Sequence, residues 1–266
     1  MNMLPDCHLH TPLCKHAAGE PEAYADQAIA KGLPEIAFTD HVPMPAWYDA
    51  ESRMTESEFP RYRTMIERVR KARPNLAIRF GIEADFVPGT EDFLGKFLAS
   101  HPFDYVLGSI HTLGDFGFDN ERYAAEWSRR DVFTVWQDYF RLVQLLAKTR
   151  MFDALAHPDL VKKFGHVPKE DLGPMFQDAL ACVKEYGLAI EVNTAGLRKK
   201  CREIYPSRRL LEIAFDLGIP VVTGSDAHAP SEVGAGFDEA AALLRGAGYR
   251  EVSRFEKRRR IPCPIS

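Results

Sequence analysis

Apolar runs of strand length alternate along the chain with longer stretches of helical period. LPDCHLH (4–10), LPEIAFTDH (33–41), LAIRFGIEADF (76–86), FDYVLGSIHTL (103–113), FDALAHPDL (152–160), LAIEVNTAG (188–196) and IPVVTGSDAH (219–228) read as buried strands that run into loops. Between them, PEAYADQAIAKG opens with Pro21 in its first turn and stops at Gly32, the usual asymmetry of helix ends. SEFPRYRTMIERVRKARP, DVFTVWQDYFRLVQLLAKTR, PMFQDALACVKEYG, SRRLLEIAFDLG and FDEAAALLRGAG follow the same logic. Long crossovers between apolar strands imply parallel pairing. About seven such βα units, evenly spaced and without a linker, predict one domain over residues 1–266 as a barrel close to the (β/α)₈ type. An open, doubly wound sheet is the structural rival. The tail REVSRFEKRRRIPCPI is expected to add one last strand, with Lys257, Arg258, Arg259 and Arg260 on a solvated face.

Composition narrows the function classes. With 34 basic and 38 acidic side chains the net charge is −4, which gives no long-range attraction for nucleic acid or an anionic membrane. Five cysteines, an odd number with no C-x-x-C pair, predict a reducing compartment and a cytoplasmic protein. The chain shows no charged leader followed by an apolar run, and no apolar stretch near the roughly 20 residues of a membrane span. Neither G-x-G-x-x-G nor G-x-x-x-x-G-K-[ST] occurs, so no dinucleotide or P-loop site is expected.

The chemistry is positional. One H-x-H pair says little, because nine histidines in 266 residues yield about 0.3 such pairs by chance. Yet every expected strand delivers an imidazole or carboxylate at its C-terminal end. These are His8 and His10, Asp40 and His41, Glu83, His111, His157, Glu191 with Asn193, and Asp226 with His228. In a parallel barrel those ends share one face, where the active sites of such barrels lie. Nitrogen and oxygen ligands without a thiolate pair suit Zn²⁺, Mn²⁺ or Fe²⁺. His101 and His166 fall in polar loops and are set aside, although His166 could approach a substrate.

The stretches DCHLHTPLCKHAAGEPEAYADQAIAKGL, EIAFTDHVPMP, FGIEADFVPG, DYVLGSIH, DALAHPDLVKKFG, EVNTAGLRKKCREIYPS and VTGSDAH resemble the polymerase-and-histidinol-phosphatase (PHP) superfamily, specifically its histidinol-phosphatase branch. The resemblance implies a distorted (β/α)₇ barrel with three divalent metal ions. It implies a first ion on His8, His10, Glu83 and Asp226, and a second on Glu83, His111 and His157. A third would sit on His16, His41 and His228. Cys7, beside two of these ligands, reads as packing, and Lys199–Arg202 interrupts an otherwise familiar loop.

A phosphate monoester is extremely slow to hydrolyse, and clustered cations supply a nucleophile and neutralise charge. No C-x₅-R or D-x-D-x-[TV] is present, so attack by a metal-bound hydroxide is the expected route. Arg198 is the candidate phosphate clamp, because a guanidinium fork matches phosphate geometry; Lys162 and Lys163 are weaker candidates. Asp40 or His228 could protonate the leaving alkoxide. Asn193 and Tyr205 are candidates for the organic half of the pocket. The expected substrate is a small phosphorylated molecule, L-histidinol phosphate, in histidine biosynthesis. A broader phosphoesterase acting on nucleotides or nucleic-acid ends, and a non-catalytic metal-stabilised scaffold, remain as alternatives.

Overall fold

The structure, a computed structural model, describes residues 4–265. Seven strands alternate with seven helices: β1 (Asp6–Leu9), α1 (Pro21–Ala30), β2 (Glu35–Phe38), α2 (Phe59–Ala72), β3 (Ala77–Asp85), α3 (Glu91–Ala99), β4 (Tyr105–Ser109), α4 (Val132–Thr149), β5 (Ala154–Leu155), α5 (Gly173–Glu185), β6 (Ala189–Asn193), α6 (Arg208–Asp216), β7 (Val221–Gly224) and α7 (Phe237–Ala247). The helices form where the period is 3.6. In α4 the buried residues Val135, Trp136, Tyr139, Phe140, Val143, Leu146 and Ala147 make one stripe, and the Asp131 side chain caps the Thr134 N–H. Helix α3, EDFLGKFLA, was not singled out by the pattern, being short and broken by Gly95.

The strands pair in sequence order, β1 to β7, all parallel. The two edges then meet: His10 N–H donates to the Ala227 carbonyl (3.0 Å) and Ala227 N–H to the His8 carbonyl (3.3 Å). A doubly wound sheet keeps its edges apart, so the rival architecture is excluded. The fold is a nearly closed seven-stranded α/β barrel.

Two local expectations change. Only Ala154 and Leu155 of the fifth apolar run are strand, because His157 turns the chain at φ 27°. The tail forms not one strand but an antiparallel hairpin, β8 (Glu251–Glu256) and β9 (Arg259–Pro264), turned by Lys257 and Arg258 at positive φ. Arg258 is not simply solvated, since it bonds Asp153 (2.5 Å) and the Met151 carbonyl (2.7 Å).

The hairpin seals the mouth of the barrel where the strands begin. Arg254 reaches Glu35 at the start of β2 (3.1 Å), and Phe255 stacks on Tyr105 at the start of β4 (5.0 Å between centroids). Register aligns Glu83 with Leu107, Leu107 with Ala154 and Ala154 with Ala189, so these residues share the inner face. Small side chains there, with Cys7, Tyr105 and Phe255, fill the interior. One end of the barrel is thus packed, leaving the C-terminal end for chemistry. Phe255→Ala is expected to lower unfolding free energy by about 3–5 kcal/mol, measured as a fall in the urea midpoint at unchanged slope.

Candidate metal centre

All nine expected ligands gather at that C-terminal end. Glu83, near the end of β3, is the hub. Its Oε2 lies 3.3 Å from His8 Nε2, 3.6 Å from His10 Nε2 and 3.1 Å from His41 Nδ1. Its Oε1 lies 3.0 Å from His157 Nε2 and 3.6 Å from His111 Nε2. Asp226 Oδ1 approaches His10 Nε2 (3.2 Å) and His8 Nε2 (3.8 Å). Farther out, His16 Nε2 and His228 Nε2 stand 2.9 Å apart. A cavity of about 260 Å³ is lined by His41, Glu83, His111, His157, Asp226 and His228, among others.

The donor set fits divalent cations. Two nitrogen pairs, His8 Nε2 with His10 Nε2 (3.1 Å) and His16 Nε2 with His228 Nε2, face each other where at most one of each can carry a hydrogen. The Nδ1 atoms of His10, His41 and His157 are buried with no hydrogen-bond partner, although His41 Nδ1 is close to Glu83. Three groups, His8–His10–Asp226, His41–Glu83–His111 and His10–His41–His228, bring ligand atoms within 4.8 Å of one another. Burial alone would raise the Glu83 carboxyl, but the imidazoles of His41 and His8 hold it well below its usual range. Burial, with His10 beside them, pushes His41 and His228 well down and keeps them neutral, the form that binds metal. At His8 burial acts the same way but is overridden by Glu191, Asp226 and Glu83, which raise it. These carboxylates demand positive charge, from protons or from metal.

A supporting layer holds the ligands. His8 Nδ1 donates to Glu191 Oε1 (2.7 Å), and Glu191 Oε2 accepts the His157 N–H (2.8 Å). Gly224 makes room for this carboxylate, since a Cβ there would lie 2.1 Å from Glu191 Oε1. Asp85 accepts from His111 Nδ1 (3.0 Å), Ser109 Oγ (2.9 Å) and Arg53 (2.6 Å). Sequence reasoning missed Asp85, although the period of two from Glu83 places it on the same face. Glu191 was noticed without a role. Cys14, also missed as a neighbour of the site, brings its sulfur near His16 and His228.

Four expected roles change. Asp40 is sealed inside, accepting from the Thr11 amide and hydroxyl and from the His41 N–H, with His10 Nδ1 3.5 Å away; it braces the histidines and is not among the residues that line the cavity. Asn193 spends its amide on Glu191 (3.0 Å) and Asp226 (3.4 Å), so it positions ligands and does not line the pocket. Lys162 is only 2% exposed, its ammonium bound to Asp159, Glu203 and the Ile204 carbonyl. Lys163, one residue on, lines the cavity instead. His228 lines the cavity, but its nitrogens face His16 and the Asp226 carbonyl, which suits a ligand better than a proton donor. Arg198 and Tyr205 do line the cavity; Arg198 is steadied by the Ser225 carbonyl (2.8 Å) and Glu232 (3.2 Å). His166 stacks on Trp127 and His101 packs on Phe59, outside the site.

The PHP domain family matches residues 6–195, and the PHP-associated family matches 206–242. The chain belongs to the PHP family. This PHP protein is 47% identical to a Deinococcus radiodurans protein named "Probable histidinol-phosphatase", over 98% of its own length and all of the relative's. It is 29% identical to a Bacillus subtilis protein named histidinol-phosphatase, covering 88% and 96% of the two chains. Its fold superimposes, with a TM-score of 0.82 at 21% identity, on a Lactococcus lactis histidinol phosphate phosphatase crystallised with Zn, L-histidinol and phosphate, over 97% and 99% of the chains.

Because Glu191 fixes both the tautomer of His8 and the backbone at His157, Glu191→Gln in this PHP protein is expected to weaken metal affinity about 10–100-fold. Competition with a chromophoric chelator measures it, with unfolding followed in parallel.

Proposed function

We propose that this PHP protein is a metal-dependent phosphomonoesterase that hydrolyses L-histidinol phosphate to L-histidinol and phosphate. The observation that carries the reading is a single cavity in which the Glu83–imidazole cluster faces Arg198 and Lys163. The names of the relatives supply the substrate. Single-domain organisation over 1–266 is part of the reading.

The residues would hold three divalent ions, of Zn, Mn or Fe type, in the sets built around Asp226, Glu83 and His16. Cations bound at such a centre lower the pKa of water toward about 7 and neutralise phosphoryl charge. The chain itself does the placing. Arg198 has two carbonyls and Glu232 fixing one side of its guanidinium, which leaves its plane set for an anion at the cavity wall. Lys163 adds a second cation on the neighbouring loop. Strained backbone at His157 (φ 27°) and Asp226 (φ 51°) aims two ligands inward, held there by the Glu191 network. The reaction fits histidine biosynthesis. All five cysteines are unpaired, in keeping with a reducing cytoplasm, and no helix among the described residues is long and apolar enough to cross a membrane.

Phosphate release from L-histidinol phosphate, p-nitrophenyl phosphate and a dinucleotide tests the reading side by side. The expected kcat/KM for the first exceeds the others by at least roughly 100-fold; equal rates would replace this reading with a broad phosphoesterase. Dialysis against a strong chelator is expected to lower both turnover and the melting temperature, with both restored by Zn²⁺ or Mn²⁺, since ligand binding stabilises the folded state. Arg198→Ala is expected to lower kcat/KM about 10–100-fold.

A further inference from the structure

Three cavities share two side chains, the candidate ligand His111 and the carboxylate Asp119. Both line the metal cavity, a mouth of about 660 Å³ above it, and a side cavity of about 670 Å³ between the loops at 46–51 and 111–123. The charges along these cavities are divided. Lys163, Arg198 and Lys199 line the metal cavity and the mouth. None of them borders the side cavity, where Asp49, Glu51, Asp115 and Asp119 outnumber Arg122, itself paired with Glu51 (2.5 Å). A dianion is therefore favoured at one end and a cation at the other.

The side cavity also carries Trp47, a large aromatic 68% exposed, its ring set edge-on to that of Tyr48 (5.9 Å between centroids). A flat ring held open beside an acidic wall suits a heteroaromatic cation. Asp119 is now held by Lys163 Nζ at 3.2 Å, and Lys163 reaches the same cavity as the metal ligands. An arriving phosphate and an arriving ammonium could divide this ion pair between them.

We propose that Asp119 receives the α-ammonium of the substrate and that the cavity beside Trp47 takes its imidazole, an inference that rests on the histidinol-phosphate reading above. Connectivity sets the assignment. The ammonium sits two carbons from the ester oxygen, so it belongs at the junction next to the phosphoryl site, where Asp119 stands. The imidazole lies one carbon farther out and reaches the side cavity.

Asp119→Asn and Asp119→Glu would be assayed on L-histidinol phosphate, 3-(imidazol-4-yl)propyl phosphate, which lacks only the amine, and p-nitrophenyl phosphate. The Asn variant is expected to lose about 30-fold more kcat/KM on the amine-bearing ester than on the other two, mainly through KM, with part recovered by Glu. Trp47→Ala is expected to penalise both imidazole esters relative to p-nitrophenyl phosphate. Calorimetry with L-histidinol, which has no phosphate, is expected to show about 10-fold weaker binding to the Asn variant. Equal losses on all three esters, or unchanged histidinol binding, would overturn the assignment, because Asp119 would then act only through Lys163 or His111. A wild-type protein that does not prefer L-histidinol phosphate would instead bring down the substrate reading, and this inference with it.

Discussion

A buried carboxylate at the end of a barrel strand has to be surrounded by positive charge or lose its own. Glu83 is that carboxylate, 1% exposed, and Asp226 and Glu191 add two more within reach of the same imidazole, His8. In a low-dielectric interior such a cluster is costly unless compensated. Imidazoles alone can compensate only by taking up protons, as the raised His8 and His10 indicate. Yet His41 and His228 are driven the other way by burial, and two nitrogen pairs face each other with no room for a hydrogen on both sides. Protons cannot satisfy all of these groups together. Divalent cations can, because they bind neutral imidazoles and carboxylates alike.

The rest of the barrel keeps this arrangement in place. Two candidate ligands, His157 and Asp226, sit at positive φ, a conformation that costs free energy in residues with a Cβ. Glu191 reaches the His157 amide and Asn193 reaches Asp226, so the same buried network that orients His8 also opposes relaxation of the strained turns. Gly224 leaves space for Glu191, and the hairpin β8–β9 closes the opposite mouth with Phe255 and Arg254. The hairpin end is thus packed and ion-paired, and the imidazole–carboxylate cluster occupies the other.

That these imidazoles and carboxylates gather was legible in the sequence, because most lie at or just beyond a strand end, and strand ends in a parallel barrel must converge. The architecture was legible because helical stretches separate the apolar runs, and crossovers of that length join parallel strands. Other roles were not. Lys162 and Lys163 are chemically alike and adjacent; only the 3₁₀ turn from Leu160 to Lys162 decides that the first points inward to Asp159 and Glu203. Asp40 looked catalytic because it precedes His41, but the path of the loop folds it onto Thr11. The last segment read as one strand because positive φ at Lys257 and Arg258, which makes it a hairpin, has no glycine to announce it.

The acidic total charge and the basic rim are consistent once position is counted. Over distances beyond a Debye length of about 8 Å the exposed charges are screened, so the average of −4 says little about what a phosphate meets at the cavity. There it meets Arg198, Lys163 and Lys199 together, with Lys200 beside Phe164 at the mouth. The nearest acidic groups on the rim, Glu232 and Asp119, are each already engaged with one of these cations. An incoming dianion can therefore draw on a cation that is pre-positioned but not fully neutralised.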